Sequence, residues 1–120
     1  PVLLYVWSPR MVLSARHAAE VQQVATDLAI DWLAVHDGRV PDSEIQQARQ
    51  TLDAASQQAL AHSQPLCAQE LIEADAYRHF PTAWLVQQGR AETRPLVSAM
   101  PAAYWRLGIE ERLHGGEKHP

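Results

Sequence analysis

A chain of 120 residues that carries 14 Asp and Glu against ten Lys and Arg has a formal net charge of −4. That balance disfavours a surface for nucleic acid or anionic membranes, and the length allows one domain with a single modest core. The hydrophobic share of 47% and the charged share of 20% are those of an ordinary globular protein, which excludes a disordered or fibrous chain.

The first third of the chain predicts strand, helix, strand. The continuous apolar run Val2 to Trp7 predicts a central strand covered on both faces, and it is too short to cross a bilayer. Ser14 is expected to cap a helix whose apolar positions recur at helical spacing from Ala18 to Leu28. A second short strand is expected over residues 31–36, before a turn-forming cluster.

The middle of the chain predicts two helices. Residues 42–62 form a Gln-rich pattern with alanines on one face, which predicts a long helix, and residues 68–77 predict another with Leu71 and Ile72 inward. After Pro81, residues 82–87 and 92–99 predict a hairpin with Gly89 in its turn. Pro95 lacks a backbone donor, so the second arm is expected at a sheet edge or with a bulge.

The end of the chain predicts a closing helix and a tail. Pro101 stands at the first turn of the helix, and four residues are available for packing: Tyr104, Leu107, Ile109 and Leu113. A single domain is therefore expected over residues 1–113, with a disordered tail over 114–120. The order β-α-β-α-α-β-β-α predicts an α/β fold: a four-stranded mixed sheet with helices on both faces.

Two stretches resemble the thioredoxin-like fold over residues 2–113. The string "HFPT", residues 79–82, resembles the family's strand opening, where a usually cis proline lies against the loop after the first strand. The string "YVWSPRMVLS", residues 5–14, resembles the family's strand-to-helix active loop, with Trp7 placed like the aromatic residue before the redox motif. The resemblance implies that Pro81 is cis and that both stretches lie together.

The chemistry of that family is missing from its usual place. A thioredoxin needs Cys-x-x-Cys where the first helix begins, because the helix N-terminus stabilises a thiolate. Residues 8–14 contain no cysteine. Dithiol exchange by the family mechanism is therefore excluded, and so are the peroxiredoxin and glutathione-peroxidase mechanisms.

A narrower resemblance concerns conjugation. "VWSPRMVLS", "HFPT" and "AMPAAYW" together are similar to thioredoxin-like proteins of integrating conjugative elements and to cysteine-poor pilus-assembly proteins of type IV secretion systems. This resemblance implies a redox-inactive protein-binding or assembly factor. It favours a periplasmic or otherwise extracytoplasmic location, although a cytoplasmic location is not excluded. A homodimer is also possible. The chain begins at Pro1 without Met, which suggests a processed or truncated product.

The candidate partner-binding site consists of the two stretches that carry the resemblance. An apolar groove there could receive an extended peptide, because the backbone before the proline strand has groups free to pair with a partner strand. The alternative is that the aromatic residues there simply fill the core, and for Tyr5 and Trp84 this is the preferred interpretation. The candidate residues are Trp7, Ser8, Pro9, Arg10, Met11, His79, Phe80, Pro81 and Thr82.

Cys67 supports the alternative function, a thiol-dependent redox protein with a single cysteine. The topology, however, is expected to place Cys67 at the far end of the sheet, and free cysteines are usually buried. A structural role is therefore preferred for it.

Histidines, metals and cofactors complete the list of candidates. The six histidines lack the spacing of a zinc site, and no cofactor motif is present, so no metal or cofactor is predicted. His36 and His79 are both expected at the end of the sheet that holds the loop. They leave a small-molecule site there as a third hypothesis.

Overall fold

The computed structural model describes residues 1–114, which form a layered α/β structure. The strands are β1 Val2–Trp7, β2 Asp31–His36, β3 Gln64–Pro65, β4 Thr82–Gln87, β5 Arg90–Ala91 and β6 Leu96–Val97. The helices are α1 Val12–Arg16, α2 Ala18–Asp27, α3 Asp42–Gln50, α4 Ala54–Ala59, α5 Gln69–Glu73 and α6 Ala102–His114.

The sheet is mixed, as predicted, but it has six strands among the described residues rather than four. Its order is β3-β2-β1-β4-β5, and β6 pairs with β4 outside this path. The central strand β1 is parallel to β2 and antiparallel to β4. The predicted second hairpin arm, residues 92–99, is not one strand, because only Leu96 and Val97 pair there while Arg90 and Ala91 form β5.

Side-chain alternation along β1 divides the core into two layers. Leu3, Tyr5 and Trp7 face one cluster, which also contains buried residues of α2 and α6. Leu4 and Val6 face the other cluster, which contains Trp84 and is packed by the apolar residues of α5. Helices therefore cover both faces of the sheet, and the prediction that Tyr5 and Trp84 lie in the core is confirmed.

Each predicted helix before the hairpin is shorter or broken. The first divides into α1 and α2 at His17, and Ser14 lies inside α1 instead of capping it. The prediction of one long helix over residues 42–62 was wrong, because α3 ends at Gln50. A second helix, α4, begins where the side chain of Asp53 accepts a hydrogen bond from Ser56 N. Predicted helix 68–77 is reduced to the five residues of α5.

The closing helix α6 begins after Pro101, as predicted, and two of the four residues expected to pack do so, because Ile109 is buried and Leu113 packs against the core. Trp105 and Ile109 are buried, whereas Tyr104 and Leu107 are exposed on its other side. His114 belongs to this helix, and the remainder of the predicted tail lies outside the described residues. No helix within residues 1–114 is long and apolar enough to cross a membrane.

Candidate functional site

The structure brings the two candidate stretches to the same end of the sheet. Val6, the penultimate residue of β1, pairs with Thr82, the first residue of β4. The loop that follows β1 therefore lies beside the segment that opens β4. The Phe80–Pro81 peptide bond is cis, as expected for this segment.

The loop after β1 is held by a buried serine pair. Ser8 N donates to the Ser14 hydroxyl over 3.0 Å, and that hydroxyl lies 2.6 Å from the Met11 carbonyl oxygen. The Tyr5 hydroxyl donates to the Ser14 carbonyl over 2.6 Å. Ser14 thus closes the loop from inside α1, which replaces the capping role predicted for it.

Three consecutive apolar side chains are exposed where this loop ends and α1 begins. The exposed fractions of Met11 and Val12 are 52% each, and that of Leu13 is 65%. Arg10 beside them is also exposed and forms an ion pair with Glu44, with 3.1 Å between Nε and Oε2. We call residues Met11, Val12 and Leu13 the apolar tip.

On the β4 side, the candidate residues differ in exposure. Pro81 and Thr82 are buried, Phe80 is half-buried against the ring of Tyr77, and His79 is exposed. The Thr82 hydroxyl donates to the His79 carbonyl, and Ser98 N donates to the Pro81 carbonyl. Within residues 1–114, neither the N–H nor the C=O of Phe80 bonds to another backbone group.

A buried polar cluster at the strand ends was not found from the sequence. Trp7 is fully buried and donates its indole N–H to the Ser63 hydroxyl over 2.9 Å. His36 Nδ1 lies 2.8 Å from the same hydroxyl, while its Nε2 is buried without a hydrogen-bond partner among residues 1–114. Burial lowers the pKa of His36, and the charge of Asp42 only partly opposes this. Neutral His36 is therefore the favoured form.

A second polar group surrounds Asp37, which follows β2 directly. Arg39 donates to both carboxylate oxygens of Asp37, each over 2.8 Å, and its guanidinium lies 4.5 Å from the centre of the Tyr77 ring. Burial raises the pKa of Asp37, but the hydrogen bonds and charge of Arg39 outweigh it and hold that pKa below the ordinary value. The Tyr77 hydroxyl accepts from Gly38 N and donates to the Leu66 carbonyl. These contacts fix the turn after β2.

The predictions for Cys67 were wrong in both position and burial. Cys67 is exposed and follows β3, which runs parallel to the end of β2 through the pair His36 and Pro65. It therefore lies at the same end of the sheet as Trp7. The physical reason is that β3, which follows α4, runs parallel to β2. The chain therefore arrives at the end of the sheet that holds Trp7 before α5 begins.

Within residues 1–114, His36 and His79 do not form a common site. His36 is buried against Ser63, whereas His79 is exposed, and no contact joins their side chains. Among residues 1–114, no group of three or more His, Cys, Asp or Glu side chains is arranged to hold a metal ion. This end of the sheet therefore presents exposed apolar side chains and the unpaired backbone groups of Phe80.

Comparisons of the chain with protein-family models, with curated proteins and with solved structures give no match.

Proposed function

We propose that this chain is a thioredoxin-like domain without redox thiols that binds an extended segment of a partner protein. The binding site would consist of the apolar tip and the backbone of residues 79–80. Trp7, Ser8, Pro81 and Thr82 would position this surface from beneath. The single observation that carries the proposal is that the exposed apolar tip and the unpaired backbone groups of Phe80 lie at the same end of the sheet.

The arrangement of the sheet supports the thioredoxin-like part of the proposal. The strand β1 lies between parallel β2 and antiparallel β4, so the sheet is mixed, as that fold requires. The helices α2 and α6 pack on one face and α5 on the other. No cysteine occupies residues 8–14, where that family carries its thiols.

The exposed surface supports binding rather than catalysis. Three adjacent apolar side chains in water carry a free-energy cost that a partner removes, at about 25 cal/mol per Å² of apolar surface covered. A partner strand could also pair with Phe80 N–H and C=O, which adds directional main-chain hydrogen bonds. A fixed loop, closed by Ser8 and Ser14, reduces the ordering cost of binding.

The partner is proposed to belong to a conjugative transfer or type IV secretion apparatus, on the strength of the resemblance of "VWSPRMVLS" and "HFPT". A photo-reactive amino acid at Met11 and, separately, at His79 would test this in cells of the source organism. Both positions should cross-link to the same protein, and that protein should be an envelope or transfer-apparatus component.

The matched control is the same photo-reactive residue at Leu107, which is exposed to 61% on α6. Cross-linking of the same protein with equal yield from Leu107 would contradict the proposed surface. A common partner from an unrelated process would retain the binding function and remove the conjugative assignment.

The second candidate function, a thiol-dependent redox protein, gains from the observed position of Cys67. Its side chain is exposed at the end of the sheet that holds the apolar tip. Its Sγ lies 3.5 Å from the Pro65 carbonyl oxygen, and no hydrogen bond joins the thiol to a basic side chain within residues 1–114. The binding function is therefore preferred.

A further inference from the structure

The outer edge of β2 is open over most of its length. The strand has six residues, but β3 pairs only with Val35 and His36. The first four residues of β2 therefore have β1 on one side and no strand on the other among the residues described. An open edge of this kind presents main-chain donors and acceptors to an incoming strand.

The hydrogen bonds of β2 show that Trp32 directs its backbone N–H and C=O towards the open edge. Asp31 N donates to the Pro1 carbonyl over 3.2 Å, so the backbone of Asp31 points towards β1. Backbone direction alternates along a strand, so Trp32 N–H and C=O point outwards. His36 is four residues after Trp32, so its backbone groups point the same way. Its carbonyl accepts a hydrogen bond from Leu66 N, on the side of β2 away from β1.

A cavity of about 240 Å³ lies against this edge, on the face of the sheet that α2 and α4 cover. Trp32, Ala34 and Ala59 give it apolar walls, and Gln22, Gln58 and His62 give it a polar rim. The indole of Trp32 is held in place, because its N–H donates to the Ala59 carbonyl over 2.9 Å and its ring stacks on Tyr5 at 5.0 Å. The cavity has room for one apolar side chain.

The opposite face of the same edge offers a different chemistry. Leu33 pairs with Leu4, whose side chain faces the second cluster, so its side chain points to this face, and it is 44% exposed. Asp31 also points there, is exposed, and forms no ion pair within residues 1–114. An occupant of the edge would meet an apolar side chain and, two residues away, a free carboxylate.

We propose that an extended segment of a partner protein adds to β2 as an antiparallel strand, with the sequence pattern aliphatic, aliphatic, basic. In an antiparallel pair the residue opposite Trp32 exchanges two hydrogen bonds with it and directs its side chain to the cavity face. The preceding residue then stands opposite Leu33, and the following one opposite Asp31. This second surface is independent of the function proposed above.

The capped peptide acetyl-Ser-Thr-Val-Leu-Lys-Thr-Ser-amide is the probe, followed by amide hydrogen exchange and chemical shifts in ¹⁵N-labelled protein. In the free protein, Trp32 N–H should exchange fast while Leu33 N–H, which faces β1, is protected. Saturating peptide should slow Trp32 exchange by at least about tenfold. Methylation of the peptide nitrogen of the central Leu should abolish this effect.

A charge exchange tests the orientation of the strand. The variant Asp31→Lys should weaken binding of the Lys peptide, and the same peptide with Glu in place of Lys should restore it. Any of three results overturns the proposal: protection of Trp32 N–H in the free monomer, no slowing with millimolar peptide, or no rescue by the charge exchange. Protection that grows with protein concentration alone would overturn it in favour of a second copy.

Discussion

Trp7 donates its indole N–H over 2.9 Å to the hydroxyl of Ser63, a residue 56 positions away in the chain. The same hydroxyl lies 2.8 Å from His36 Nδ1. One side chain thereby ties the ends of β1 and β2 to the segment that precedes β3. The loop with the apolar tip begins at the residue after Trp7, so its anchorage depends on this contact.

The variant Ser63→Ala should lower the free energy of unfolding by about 1–3 kcal/mol, because it leaves the buried N–H of Trp7 without an acceptor. Urea denaturation measures this. Ser43→Ala is the matched control, since Ser43 is exposed on α3 and its hydroxyl has no protein partner within residues 1–114. Equal stabilities of the two variants would show that the contact contributes nothing.

Stability should fall as the solution becomes acidic, through His36. Burial lowers the pKa of His36 in the folded state, with Arg49 adding to this effect and Asp42 and Asp37 opposing it. The unfolded chain therefore takes up the proton first, and the loss begins below about pH 6.5 and continues to the folded pKa. His36→Gln should show a smaller change in unfolding free energy than the wild type between about pH 7.5 and pH 5.5. An identical pH dependence in the variant would remove His36 as the cause.

The start of α4 should depend on one carboxylate. Asp53 accepts from Ser56 N over 2.8 Å as the N-cap of α4. Asp53→Ala should therefore cost about 0.5–2 kcal/mol in urea denaturation, whereas Asp53→Asn, which also caps, should cost less. If Asp53→Ala and Asp53→Asn lower the free energy of unfolding equally, the hydrogen bond to Ser56 N is not how Asp53 stabilises the protein.

The fold class followed from local patterns where those patterns match one element. The buried run of residues 2–7 and the strand after Pro81 were predicted within a residue, because continuous apolar runs between turn signals specify strands strongly. The break between α3 and α4 was missed, since helical spacing continues through Leu52 while the capping Asp53 interrupts the backbone. Alanine-rich spacing alone cannot reveal such an interruption.

The candidate site followed from the sequence only in outline. The pairing of Val6 with Thr82 agrees with the expected meeting of the two stretches. The partnership of Trp7, His36 and Ser63 spans three separate segments, so no local pattern indicates it. The misplacement of Cys67 has a similar origin, because β3 is only two residues long and exists through its pairing with β2.

The substitution Cys67→Ser should leave the affinity for the cross-linked partner unchanged under reducing and non-reducing conditions. The thiol is exposed but lies after β3, at the edge of the sheet and outside the apolar tip. Isothermal titration calorimetry with the purified partner measures this. Loss of binding, or a mixed disulfide between Cys67 and the partner, would favour the thiol-dependent function instead.

The most direct measurement of the central claim compares two aspartate substitutions at apolar positions of similar exposure. Met11 lies in the apolar tip and Leu107 lies on α6, and their exposed fractions are 52% and 61%. Met11→Asp should weaken binding of the partner by at least about tenfold, while Leu107→Asp leaves it unchanged and both variants unfold like the wild type. Unchanged affinity for Met11→Asp, or an equal loss for Leu107→Asp, would contradict the proposal that the loop after β1 binds the partner.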